Sequence, residues 1–215
     1  MSDEKNLLDF FANEEEKMTE KQRKIIEAAV EMFAEKGYAA TSTSQIAKKA
    51  GVAEGTIFRH YKTKKDLLIG IVSPMIAKVI APFVVKDIQK IMDTPYERYE
   101  DFLRAVIVNR QEFLLANMNI FRIVVQEIPF HPELKEQFKE HVIKKVNQRF
   151  AVLVKHYQQQ GQIIEMPTNT AIRFTVSTII GHLITRHVFF PESDWDDESE
   201  IEQTIQLIMY GLGGR

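Results

Sequence analysis

Apolar positions along this chain recur every three or four residues and almost never alternate, so the sequence predicts an all-α fold. The first helix is expected over about 20–36. Thr19 and Gln22 form a capping box at its start, and Ile25, Ile26, Ala29, Val30, Phe33 and Ala34 make one apolar face. Gly37 stands where a left-handed C-cap belongs. Two short helices follow, over about 44–50 and 54–60, with Ser42 or Thr43 as cap of the first and Gly51 as its stop. A fourth starts near Lys64 behind a Thr63/Asp66 capping box and runs to about Val79, with Pro82 beyond it or kinking it. Longer helices are then expected over about 95–116, 120–127, 132–160, 170–190 and 197–212. Residues 1–17 read as an acidic, flexible arm, in which Leu7, Leu8, Phe10 and Phe11 can pack as one short turn.

The stretch from Thr41 to Tyr61 carries the chemistry. Two helices of about two turns are joined by Ala50-Gly51-Val52, a turn tight enough to hold the second across the first, as in a helix-turn-helix. Ile46, Ala47, Ala50, Val52, Ile57, Phe58 and Tyr61 are expected to point inward. Thr43, Ser44, Gln45, Glu54, Gly55 and Thr56 are expected to point outward. A helix lying in the major groove presents its N-terminal residues to base edges, and small side chains let its backbone come close. Thr43 and Ser44 can donate hydroxyl and peptide hydrogens to phosphates, or only cap their helix. Lys62, Lys64 and Lys65 can neutralise phosphates, and Thr56 can touch a thymine methyl or a base acceptor. Glu54 either accepts from a cytosine amino group or sits in water, and Tyr61 reads as core.

These residues resemble the DNA-binding domain of the tetracycline-repressor (TetR) family. The likeness runs from about Thr19 to Val79. It rests on Ile25–Phe33, Gly37-Tyr38, Thr41, Ile46-Ala47, Ala50-Gly51-Val52, Gly55-Thr56-Ile57-Phe58 and Tyr61-Lys62-Thr63-Lys64-Lys65-Asp66-Leu67. Three positions depart from the family's habit. His60 stands where a tyrosine often meets a phosphate, Ala53 replaces a frequent serine, and Glu54 sits where a basic or amide side chain is commoner. The resemblance implies Thr43, Ser44, Gln45, Ala53, Glu54, Gly55, Thr56, His60, Lys62 and Lys64 as DNA-binding positions. It also implies a dimer built on the last two helices, a ligand cavity among the C-terminal helices, and repression relieved by that ligand.

The C-terminal pattern is read in that light. Ile172, Val176, Ile179, Ile180 and Leu183 form one long apolar stripe, and Ile201, Ile205, Ile208 and Leu212 form another. Both are wide for one core and suit a self-complementary four-helix bundle. Gly181 within a helix costs about 1 kcal/mol against alanine, which a close helix crossing would explain. A two-fold dimer would set its recognition helices about 34 Å apart, one turn of DNA. Phe102, Phe113, Met118, Phe121, Phe150 and His182 are candidate lining for an apolar or amphipathic ligand, and each can equally be core. Arg110, Asn117 and Gln126 are polar groups within apolar stretches.

Three domains follow: the arm 1–17, the DNA-binding domain 18–79 with its helix-turn-helix over about 43–62, and a ligand-binding and dimerisation domain 80–215. Charge supports the division. Residues 17–65 carry 11 basic and 5 acidic side chains, against a net charge of -2 for the whole chain. With no cysteine among the 215 residues, disulfides, thiolate catalysis and cysteine–zinc sites are excluded. No G-x-S-x-G turn, phosphate loop or H-E-x-x-H helix is present, so no enzyme is read, and no cofactor or metal. His182 and His187, five apart, have poor metal spacing. No signal peptide or membrane span is read, and the expectation is a cytoplasmic regulator whose partners are double-stranded operator DNA, a small-molecule effector and a second copy of itself. The rival reading is a protein-interaction adaptor that keeps the helix-turn-helix without operator binding.

Overall fold

The computed structural model describes residues 18–81, 90–91 and 93–212. The acidic arm and Pro82 lie outside them. Every regular element among the described residues is helical, and no helix there is long and apolar enough to cross a membrane. The chain divides into two compact units. One comprises Met1–Phe83 with Ala116–Ile143, the other Val84–Leu115 with Lys144–Arg215. Residues 116–143, which the sequence reading grouped with the C-terminal half, thus pack with the N-terminal helices.

In the first unit, α1 (Glu20–Ala40) starts at the Thr19/Gln22 capping box, with both reciprocal bonds formed. It is interrupted at Gly37, whose φ of 79° and ψ of 159° only glycine adopts readily, and a further turn then carries the chain to Thr41. The Thr41 hydroxyl donates to the Met32 and Gly37 carbonyls. Ser42, not Thr43, caps α2 (Thr43–Ala50), again as a full capping box, and Gly51 closes it at φ 67°. α3 (Glu54–His60) occupies the predicted span, although Ala53 gives it no side-chain cap. Thr63 caps α4 (Lys64–Met75), which contains Pro74 and passes into a π-turn, Ile76–Ile80. Ile25, Ala29, Phe33, Ile46, Ile57, Leu67 and Ile71 form the core of this unit, each 1% exposed or less. α6 (Met118–Glu127) and α7 (Pro132–Phe138), linked by a 3-10 turn at Ile128–Phe130, lean on α1 and α4.

The second unit holds α5 (Tyr99–Ala116), α8 (Lys144–Gln159), α9 (Thr168–Ile184) with a π-turn at Thr185–Phe189, and α10 (Asp197–Tyr210). The start of α5 corrects the expected one at Pro95. Thr94 donates its hydroxyl backward to the Lys90 carbonyl instead of capping, and the Tyr99 N–H is taken by Gln162 Oε1 at 2.7 Å. The expected helix over 132–160 is divided by a π-turn at Lys139–Ile143. Tyr99, Phe102, Phe150 and Tyr157 pack ring against ring, with centroids 5.0–6.4 Å apart.

Candidate nucleic-acid interface and sensor helices

The helix-turn-helix is held by apolar contacts behind and one polar contact in front. Ile46, Ala47 and Ile57 are buried toward α1. In front, the Thr43 hydroxyl donates to Glu54 Oε1 at 2.6 Å, joining the first turns of α2 and α3. Thr43 and Glu54 are consequently only half-exposed. Ser44, Gln45, Ala53, Gly55, His60 and Lys62 are exposed, as an interface requires. A Cβ on Gly55 would meet nothing within 4 Å, so the surface beside Glu54 is open.

Two inward–outward assignments are reversed. Thr56, expected outside, is 6% exposed, and its Oγ1 accepts from Arg59 Nη2 at 3.2 Å. Phe58, expected inside, is 46% exposed. The reason is helical phase: with Thr56 and Ile57 both buried, 100° per residue puts Gly55 and Phe58 about 150° from the middle of that inward face, on the far side of α3, and Arg59 on its flank. Phe58 and Arg59 are thus surface groups of the recognition helix that the sequence reading missed, because Ile57 alone leaves Thr56 and Phe58 at equal angles and only the side to which the helix turns decides between them.

Lys64 also differs from its expected role. Its ammonium donates to the carbonyls of Tyr38 and Thr41, both at 2.8 Å, and lies 4.2 Å above the Tyr38 ring. A cation bound to two carbonyls at the end of α1 is engaged inside the domain, leaving exposed Lys62 as the basic group at this edge. Lys65 is paired with Glu133 at 2.6 Å. Beside them His131 meets the Tyr38 ring edge-on, with centroids 5.4 Å apart, and its Nε2 lies 3.3 Å from Glu127 Oε2. Tyr61 covers Gly70 so closely that a Cβ there would fall 2.8 Å from the ring.

The proposed ligand contacts are not gathered in one place. Phe102 and Phe150 are 0% and 2% exposed in the aromatic core of the second unit. Phe113, half-buried, faces the Arg110 guanidinium at 5.7 Å. Met118 and Phe121, also half-buried, belong to α6 of the first unit. His182 is half-buried on α9, where desolvation holds its imidazole below the ordinary histidine range against an opposing pull from Glu200 and Asp197. Five residues on, buried His187 is likewise held low by desolvation and then by Arg186, and its Nε2 has no hydrogen-bond partner among the described residues.

The stripes expected to dimerise are divided too. Ile172, Ile179, Leu183, Ile201 and Ile205 are buried within the single chain, between 0% and 8% exposed, because α9 and α10 pack on each other. Val176 and Ile208 are half-buried. Ile180 and Leu212 remain exposed, and Phe174 and Leu207 join them at 51% and 39%. Among the described residues a Cβ added at Gly181 would find no atom within 4 Å, so no close helix crossing is seen there.

Comparison with known proteins places this geometry. The family model of the bacterial regulatory proteins, tetR family, matches residues 25–71, and that of the AefR-like transcriptional repressor C-terminal domain matches residues 103–208. The fatty acid metabolism regulator protein of Bacillus subtilis (strain 168) is 37% identical over 106 residues, 49% of this chain and 51% of that protein. The chain therefore spans about half the length of that relative. The crystal structure of the transcriptional regulator FadR from Bacillus subtilis, in complex with stearoyl-CoA, superposes with a TM-score of 0.64 at 26% identity over 88% of this chain and 98% of that one. The fatty acid degradation regulator FadR from Bacillus halodurans gives 0.66, also at 26%, over 93% and 100%. The two matched models cover the helix-turn-helix and most of the chain that follows it, and the chain belongs to the TetR family of bacterial transcriptional regulators.

Proposed function

We propose that this protein is a cytoplasmic homodimeric repressor that binds operator DNA through α2 and α3 and releases it when a long-chain acyl-CoA binds the C-terminal helices. The observation that carries the reading is the likeness, along nearly the whole chain, to a regulator solved with stearoyl-CoA. The exposed face of Ser44, Gln45, Gly55, Arg59, His60 and Lys62 supports the DNA contact. Exposed Phe174, Ile180 and Leu207, with open space at Gly181, support a second copy against α9 and α10. Phe113 and His182 are the side chains among the ligand candidates of the second unit that are not fully packed away.

The effector acts by linkage: a ligand favouring a dimer with the wrong half-site spacing weakens DNA binding by its own difference in affinity for the two forms. Fluorescence anisotropy on DNA from upstream of the gene tests this. Stearoyl-CoA is expected to weaken binding about tenfold or more, within the usual range of allosteric coupling. Free CoA is expected to leave it unchanged. Salt-sensitive DNA binding that stearoyl-CoA does not alter would refute the acyl-CoA part and leave the repressor part standing.

A further inference from the structure

The contact between Thr43 and Glu54 joins α2 to α3 and engages one of the two carboxylate oxygens. The hydroxyl donates to Oε1 at 2.6 Å across the turn and leaves Oε2 without a donor among the described residues. Exposed Gly55 beside it offers no side chain to keep a base edge away. A carboxylate at this place has one chemistry toward DNA. It can only accept, and it is repelled by phosphate.

We infer that Glu54, held in one rotamer by Thr43, reads a cytosine in each operator half-site. This rests on the operator-binding reading above. In the major groove the available donors are the amino groups of cytosine and adenine, whereas guanine and thymine present acceptors at the corresponding positions. Adenine's amino group is flanked on its own base by the N7 acceptor, which faces the second carboxylate oxygen unfavourably. Cytosine's amino group is flanked by a C–H, which does not. Glu54 therefore selects cytosine, and against every other sequence it adds repulsion, which lowers non-specific affinity. Thr43 is the positioning residue. By donating to Oε1 it fixes where Oε2 points before DNA arrives, so the hydroxyl that could have met a phosphate instead orients the reader.

Random-sequence selection with the purified full-length protein, followed by sequencing, tests the inference. The wild type is expected to enrich one cytosine per half-site over the other bases by about tenfold or more. Glu54→Ala is expected to erase the preference at that position alone and to raise affinity for unrelated DNA. Glu54→Gln should move it toward adenine, whose N6 and N7 suit an amide. Thr43→Val should relax the preference and Thr43→Ser retain it, with the rest of the motif unchanged in both. A Glu54→Ala motif identical to that of the wild type would overturn the assignment while leaving operator binding intact. A wild type that enriches no motif would overturn operator recognition itself, and the cytosine reading with it.

Discussion

One ammonium group ties the end of α1 to the start of α4. Lys64 donates to two carbonyls at 2.8 Å and covers the Tyr38 ring, a charge-assisted arrangement at a helix C-terminus where positive charge is favoured. Lys64→Met keeps most of the stem and removes the donors. It is expected to lower stability by about 2–3 kcal/mol in urea unfolding, because two half-buried carbonyls lose a charged partner. Exposed Lys62 should behave in the opposite way. Lys62→Met is expected to change stability by less than about 0.5 kcal/mol and to reduce the slope of log affinity against log salt by about 1 on DNA. Equal salt slopes for wild type and Lys62→Met would remove Lys62 from the phosphate contacts.

At the scale of elements, the helices that begin with their own signals were legible. Thr19 with Gln22, Thr63 and Gly51 are local devices, each completed within a few residues, and the structure puts element ends at them; at α2 the sequence left Ser42 and Thr43 both open as caps, and the structure selects Ser42. Elements whose ends depend on distant residues were not legible. Thr94-Pro95 looks like a helix start, yet α5 begins at Tyr99 because Gln162, far along the chain, receives its N–H and donates to the Glu97 carbonyl at 2.7 Å. Gln162→Ala is accordingly expected to cost about 1–2 kcal/mol and to speed amide exchange at 97–100, with exchange in α2 and α3 unchanged. The π-turns at Ile76–Ile80, Lys139–Ile143 and Thr185–Phe189 were equally invisible. One extra residue in a turn shifts the phase of everything after it without altering composition. The candidate site shows the same division. Its outline came from the turn residues, but the burial of Thr56 and the exposure of Phe58 required the phase of one seven-residue helix.

For the molecule as a whole, two histidines on α9 and its π-turn are expected to set a pH dependence. Burial holds His182 and His187 below the ordinary histidine range. Below about pH 6.5 the unfolded chain takes up protons at these side chains that the native chain resists. Stability therefore falls as pH drops from about 6.5 toward the depressed native values, and rises back on neutralisation. Asp197, held low by Arg186 at 2.7 Å, adds a loss only further into the acid range. The midpoint of thermal unfolding is expected to fall between pH 7 and pH 5.5, and His187→Gln should flatten that fall. An unchanged pH profile in His187→Gln would show that the histidine is not the group responsible.

The proposed dimer draws on the same helices, and burial separates the residues packed within one chain from those left exposed on its surface. Ile205 is fully buried and Ile179 nearly so, whereas Ile180, one residue along α9, is 46% exposed beside Gly181. A charge at each site should therefore have different consequences. Ile205→Glu places a carboxylate in an apolar core without a partner and is expected to abolish the fold. Ile180→Glu leaves the protomer core untouched. In sedimentation velocity it is expected to run as a folded monomer, with helical circular dichroism like that of the wild type, where the wild type runs as a dimer. Because a monomer engages one half-site at a time, its operator affinity should fall at least a hundredfold, the order of gain expected when a second contact becomes intramolecular. An Ile180→Glu protein that stays dimeric would move the interface away from this face of α9. A wild type monomeric at micromolar concentration would instead mean that DNA, and not the apolar face, brings the two copies together.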